Sequence, residues 1–243
     1  MQKVTIRDLG VVKYVDALAI QTQKFNELID RKLHGQSNTD EHVLFLCEHH
    51  PVITLGKAAN EQNILLSEAF LKEKGIDVFH ISRGGDVTFH GPGQITGYPI
   101  LDLEYFSSDI KLYMRMLEEV MIQTIAEYGI AGYRIPDATG VWVDAKSDKQ
   151  PKKIAAFGVK TSRWVTMHGF ALNVTVDLNY FNYIHPCGFT DKGVTSIQNE
   201  LGGNGNEIEL HEVKRILIAK FAEVFNVEWN GELFSGFSCQ QPS

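Results

Sequence analysis

Cys187 stands between proline and glycine in Ile184-His185-Pro186-Cys187-Gly188-Phe189. That placement puts the thiol on a turn. A turn thiol near a cation has the setting that favours thiolate, the nucleophilic form of cysteine. The same tripeptide also fits a turn that does no chemistry. Lys153 opens a run of small and apolar residues, Lys153-Ile154-Ala155-Ala156-Phe157-Gly158, which reads as a strand. If the lysine projects into a cavity, desolvation makes its amine a usable base; otherwise it is a surface lysine at a strand end. Of the other cysteines, Cys47 sits in an apolar run and reads as core filler, and Cys239 in the tail reads as incidental.

Two further stretches have the makings of a binding slot. The first, Arg83-Gly84-Gly85-Asp86-Val87-Thr88-Phe89-His90-Gly91-Pro92-Gly93-Gln94, belongs to a region with five glycines from Gly84 to Gly97. Glycine lets a ligand approach the backbone closely, so an extended ligand could lie here with backbone N–H groups at its polar end. A Gly-rich hairpin around a core histidine fits the same residues. No Gly-Lys-Ser/Thr follows, so it is no P-loop, and no Gly-x-Gly-x-x-Gly opens a helix. The second is Trp164-Val165-Thr166-Met167-His168-Gly169-Phe170-Ala171-Leu172-Asn173-Val174. Its weak alternation suits a strand covered on both faces, and Gly169 marks a bulge or a close approach. His168 reads equally as a core histidine bonded to backbone and as a site residue.

The elements that must hold these residues follow from periodicity. Helices are expected over 12–33, with Val15, Leu18, Ala19, Phe25, Leu28, Ile29 and Leu33 inward, and over 67–74. Two more are expected over 109–128, capped by Ser108 or Asp109, and over 208–225. Strands are expected at 4–6 on a sheet edge, then at 43–47, 52–55, 78–81, 86–89, 94–103, 133–135, 141–143, 154–160 and 164–176. Strands and helices do not alternate strictly, which predicts an α+β fold with a mixed β-sheet flanked by helices. One domain over 1–243 is expected, with room for a small C-terminal lobe from about 204.

The chain has 243 residues, 44% hydrophobic and 22% charged, as in an ordinary globular protein. Three irregularly spaced cysteines form no disulfide framework or zinc pair. The net charge of −7 argues against a nucleic-acid partner. The longest apolar runs fall far short of a membrane span, and the N-terminus shows no apolar signal segment. A reducing cytoplasm is the expected location.

These segments, in this order, resemble the lipoyl(octanoyl) transferases. The family's Arg-Gly-Gly-x-x-Thr-x-His-x-x-Gly-Gln-x-x-x-Tyr-Pro matches Arg83 to Pro99. Its Lys-Ile-x-x-x-Gly matches Lys153 to Gly158, its His-Gly-x-Ala-x-Asn matches His168 to Asn173, and its Pro-Cys-Gly matches Pro186 to Gly188. His50 to Gly56 resembles an upstream family stretch, and the similarity runs from about Tyr14 to Glu200. Two positions depart from the pattern: Phe89 where tyrosine is frequent, and Phe157 where an aliphatic residue is frequent.

The resemblance implies a biotin/lipoate ligase-like transferase fold. It also implies an acyltransferase that moves octanoyl from octanoyl-acyl carrier protein to a lysine on lipoyl domains of 2-oxoacid dehydrogenases and on the glycine-cleavage H protein. Carried over, Cys187 is the acyl-thioester nucleophile and Lys153 its acid/base partner. The acyl chain lies along Arg83, Gly84, Gly85, Asp86, Val87, Thr88, Phe89 and His90, then Ala156, Phe157 and Gly158, then Gly169, Phe170 and Ala171. Neither ATP nor a metal is expected, nor a nucleic-acid or membrane partner. Donors to the thioester oxygen are expected near Gly85 and Gly169–Phe170, with Thr88 or His90 assisting. Both carriers are expected to be acidic, which makes Lys57, Lys146, Lys149, Lys152, Lys160 and Arg163 candidate docking residues. The alternatives are an ATP-dependent lipoate-protein ligase of the same fold, an acyl thioesterase using the same Cys–Lys pair, and a carrier-binding protein without turnover.

Overall fold

A computed structural model describes residues 1–36, 42–144, 150–185, 193–202 and 208–230. The chain opens with β1 (Gln2–Val12), α1 (Tyr14–Leu33), β2 (His42–His49) and β3 (Val52–Leu55). A short α2 (Glu68–Glu73) precedes β4 (Asp77–His80), β5 (Val87–His90) and β6 (Gln94–Ile100). Next come α3 (Ile110–Ala126), β7 (Tyr133–Ile135), β8 (Ala138–Asp144), β9 (Pro151–Ser162) and β10 (Val165–Asn173). The described chain ends with β11 (Gly193–Val194), α4 (Ile197–Glu200), α5 (Leu210–Phe225) and β12 (Val227–Trp229). None of the described helices is long and apolar enough to cross a membrane.

The main sheet runs β12-β1-β2-β6-β10-β9-β8-β7, with β11 paired to β9 beside that path. The pairings of β1 with β12 and β2 are parallel, whereas β6, β10, β9, β8 and β7 pair antiparallel. A smaller sheet, β4-β3-β5, stands apart. This is the expected α+β arrangement with a mixed sheet. The expected edge strand at 4–6 is corrected: β1 is eleven residues long and lies one strand in from the edge, because β12 covers its outer side. A three-residue strand straight after a helix carries too little periodicity to be read from sequence.

Alternation along β2 shows how the layers form. Leu44 and Leu46 face a core shared with Leu117, Val120 and Met121 of α3 and Val213, Leu217 and Phe221 of α5. Val43, Phe45 and Cys47 face the other way, against Ala17, Phe25 and Leu28 of α1. Both faces of the main sheet are therefore covered, which explains the weak alternation of β10. Val15 and Leu33, expected inward on α1, are exposed, while Ala17 and Gln21 are buried. The buried stripe on α1 is thus rotated from the expected one, and a buried glutamine carries no hydrophobic signal. A third cluster packs α2 and the 3-10 turn Leu178–Tyr183 onto the small sheet through Leu71, Ile53, Leu55, Phe89 and Phe181. Asp109, rather than Ser108, caps α3 by accepting from the N–H groups of Lys111 and Leu112 at 2.8 and 3.1 Å.

Candidate acyl-transfer site

The loop before β5 lies directly on β9. Gly84 donates its N–H to the Val159 carbonyl at 2.9 Å. The approach needs glycine at 158, where a Cβ would lie 2.7 Å from Arg83 Cδ and 2.9 Å from the Gly84 oxygen. Arg83 fixes the loop from inside: its guanidinium donates to the carbonyl and hydroxyl of Thr54 at 2.8 and 3.0 Å and to the Gly84 carbonyl at 3.1 Å. Asp86 ties down the neighbouring turn, accepting from Val87 N–H at 2.7 Å and Asn63 Nδ2 at 2.6 Å. Arginine and aspartate here hold backbone in place.

Between this loop and the main sheet is a cavity of about 500 Å³, within the usual size range for small-ligand sites. Its walls include Arg83, Gly84, Gly85, Asp86, Thr88 and His90, then Lys153 and Ala156 to Gly158, then Gly169 to Ala171. Val87 and Phe89 do not reach it. They alternate to the other face of β5 and pack into the small-sheet core, where Phe89 stacks on Tyr180 with ring centres 4.6 Å apart. The Phe89 departure from the family pattern is therefore remote from the cavity, whereas Phe157 lines it. Tyr14, Thr96, Met114 and Thr139 also line it and carried no sequence signal as site residues. Gln94, Tyr98 and Asn173 lay inside the motifs, and polar residues spaced among strand glycines were the available signal.

Buried hydrogen bonds order the polar end. Gln94 Nε2 donates to the Phe89 carbonyl and to Asn173 Oδ1, at 3.1 and 2.9 Å. Its oxygen must therefore accept from His90 Nδ1, 2.8 Å away. The opposite nitrogen of His90, 3.5 Å from Thr54 Oγ1, then carries no proton, and a neutral His90 offers none to a thioester oxygen. That tautomer argues against the expected assistance from His90 as a donor. Asn173 Nδ2 donates to the Thr195 carbonyl at 2.9 Å, and Thr195 N–H donates to the Lys153 carbonyl at 3.0 Å. One network thus runs from His90 to the strand that carries Lys153.

A second set of rings lies beside it. His49 Nε2 is 2.6 Å from Tyr98 Oη and its Nδ1 is 3.1 Å from the Val12 carbonyl. A carbonyl only accepts, so Nδ1 carries the proton and the tyrosine hydroxyl donates to Nε2. Burial pushes all three site histidines below their ordinary value: His49 to about 4, His90 to about 3 and His168 to about 3. Arg83 and Lys160 add to the depression at His168. His168 has φ of 60°, and neither of its ring nitrogens has a hydrogen-bond partner among the described residues. Cys47 is fully buried, as core filler should be, and burial pushes its thiol well up.

Lys153 is the third residue of β9 and 8% exposed, so it is no surface lysine. Its Nζ donates to the Thr139 carbonyl at 3.0 Å and lies 4.7 Å from the ring centre of Trp142. β11 pairs Gly193 and Val194 with Lys152 and Lys153, so the described chain resumes beside this lysine. Cys187, with Pro186 and Gly188, lies outside the described residues, as do Lys146 and Lys149 and the boundary expected at about 204. Lys160 lies 5.1 Å from the Phe25 ring centre. No group of three or more His, Cys, Asp or Glu among the described residues is placed to hold a metal ion.

Comparison with known proteins agrees with this geometry. Residues 14–222 match the lipoyl protein ligase A/B catalytic domain. The octanoyltransferase of Parabacteroides distasonis is 52% identical over 202 residues, covering 83% of this chain and 90% of that protein. The octanoyltransferase of Christiangramia forsetii is 47% identical over 232 residues, covering 93% and 97%. A bipartite lipoate protein ligase from Thermoplasma acidophilum superposes with a TM-score of 0.70 over 96% of this chain and 87% of that one; at 15% identity this shows a shared fold. The chain belongs to the lipoyl protein ligase A/B catalytic-domain family, among its octanoyltransferases, and is an acyltransferase.

Proposed function

We propose that this enzyme takes octanoyl from octanoyl-acyl carrier protein, holds it as a thioester on Cys187, and passes it to a lysine of a lipoyl domain or glycine-cleavage H protein in the cytoplasm, without ATP or metal. The observation that carries the reading is a buried lysine on the wall of a cavity sized for a medium acyl chain. Its amine is held at that wall by the Thr139 carbonyl and the Trp142 ring.

In the first half-reaction Lys153 as amine takes the Cys187 proton. The thiolate attacks the thioester carbonyl, a new C–S bond forms, and the C–S bond to the carrier breaks. Lys153, now ammonium, gives its proton to the departing thiolate. One thioester replaces another, so no bond energy need be supplied. In the second half-reaction the acceptor amine attacks the Cys187 thioester. A C–N bond forms and the bond to Cys187 breaks, while Lys153 moves the proton from nitrogen to the released sulfur. Arginine could not substitute, since guanidinium does not release its proton in this range.

The test is a reconstituted reaction of enzyme, octanoyl-acyl carrier protein and a lipoyl domain, with chelator and no nucleotide. Octanoylated lipoyl domain is the expected product. Product that forms only from free octanoate plus ATP would make the protein a ligase, and free octanoate as sole product would make it a thioesterase.

A further inference from the structure

Lys153 is held by a peptide group that is itself held by a buried acid. Glu118 projects from α3 with its side chain 6% exposed. Its Oε2 accepts from Arg134 Nε at 3.0 Å and from Arg115 at 3.3 Å. Its Oε1 accepts from the N–H of Gly140 at 3.3 Å. The Gly140 N–H and the Thr139 C=O are the two ends of one planar peptide. The carbonyl end accepts from Lys153 Nζ at 3.0 Å.

We propose that Glu118 is a positioning residue for Lys153, acting through the Thr139–Gly140 peptide. This inference rests on the reading of Lys153 as the acid/base group. The carboxylate at the N–H end fixes the plane of the peptide and draws its dipole so that the carbonyl oxygen is more negative. Hydrogen bonds in such a chain polarise one another. The oxygen then sets where the lysine nitrogen rests.

Three features of the surroundings point the same way. Gly140 has φ of 149°, and a Cβ there would lie 2.9 Å from Lys153 Cε, so glycine lets the lysine lie flat across β8. Trp142 faces Lys153 across the strand pair and donates its Nε1–H to the Ala138 carbonyl at 2.9 Å, bracing the same strand. The ion pair with Arg134 accounts for one oxygen of Glu118 and leaves the other for Gly140. Donors face both oxygens, an arrangement that only a carboxylate can satisfy. A glutamine would turn its NH₂ against either the guanidinium groups or Gly140.

The experiment is a double-mutant cycle read on the rate at which iodoacetamide alkylates Cys187, mapped by mass spectrometry. The proteins are the native chain, Glu118→Gln, Lys153→Met and the double variant, each checked for native thermal unfolding. Removing the lysine should slow Cys187 alkylation about tenfold or more, since the thiolate is the reacting form. Glu118→Gln should slow it about threefold in the native background and change nothing once Lys153 is gone, the signature of two residues acting through one contact. Should the glutamine variant not fold, Glu118→Asp gives the same comparison. It keeps the charge for Arg134 but withdraws the oxygen from Gly140, and the same loss is expected. Equal slowing in both backgrounds would overturn the proposal and make Glu118 a general structural residue. No slowing in the native background would overturn it as well. If Lys153→Met alkylates as fast as the native protein, the pairing of Lys153 with Cys187 fails, and this inference falls with it.

Discussion

At the scale of residues, the site is unusual in its number of buried neutral histidines. His49, His90 and His168 are held at about 4, 3 and 3 by burial, whereas a histidine in an unfolded chain titrates near ~6.5. With folded values depressed, the unfolded chain binds protons that the folded protein refuses. Stability is therefore full above about 6.5 and falls as pH drops toward the folded values, by up to ~1.4 kcal/mol per pH unit for each such histidine. Urea midpoints at pH 7.5 and 5.0 check this: a clear loss at pH 5.0 is expected, and an unchanged or higher midpoint would show that the histidines are charged or solvated in the fold. His168→Asn should reduce the loss on acidification, since it removes one of the three groups.

At the scale of elements, β10 and β6 meet so closely that side chains are excluded. A Cβ at Gly169 would lie 2.2 Å from the Gly97 carbonyl oxygen and 2.7 Å from Pro99 Cδ. Because the first neighbour is backbone, Gly169→Ala must part the strands or distort β10. The expected result is a loss of about 1–3 kcal/mol or more in denaturant unfolding, with octanoyl transfer reduced further because these strands form a cavity wall. Unchanged stability would mean that the contact is looser than described. The long elements were legible from pattern. Asp109 with the apolar stripe at Ile110, Tyr113, Met114, Leu117, Val120, Met121 and Ile125 marked α3, although Ile110 is exposed and Met114 only half-buried, and β3 and β7 fell at their expected residues. β11 and β12 were not legible, because two- and three-residue strands are created by their partners and have no periodicity of their own. The motif residues gave the cavity wall, but strand alternation was needed to see that Val87 and Phe89 turn away from it. Glu118 gave no sequence signal either. A charged residue on an amphipathic helix reads as solvent-facing until its partners, sixteen and twenty-two positions on at Arg134 and Gly140, are brought together.

At the scale of the whole molecule, a protein of net charge −7 is proposed to meet two acidic carriers in turn. Productive encounter then depends on local cations near the cavity rather than on overall attraction. Lys57 and Arg163 are exposed and remain candidates, while the Lys160 ammonium over the Phe25 ring gives that lysine a structural task as well. Exposed charge pairs are screened over ~10 Å at 0.1 M salt, so kcat/KM for octanoyl-acyl carrier protein should fall severalfold from 0.05 to 0.5 M salt, with kcat little changed. A flat profile would remove electrostatic docking from the account. The central claim is the covalent intermediate, and intact-protein mass spectrometry tests it most directly. The enzyme is mixed with octanoyl-acyl carrier protein alone, then with a lipoyl domain. The account predicts a single octanoyl adduct on Cys187 that disappears as the lipoyl domain gains the same mass. Acylation of the lipoyl domain at full rate by a Cys187→Ser enzyme, with no adduct at any time, would contradict it.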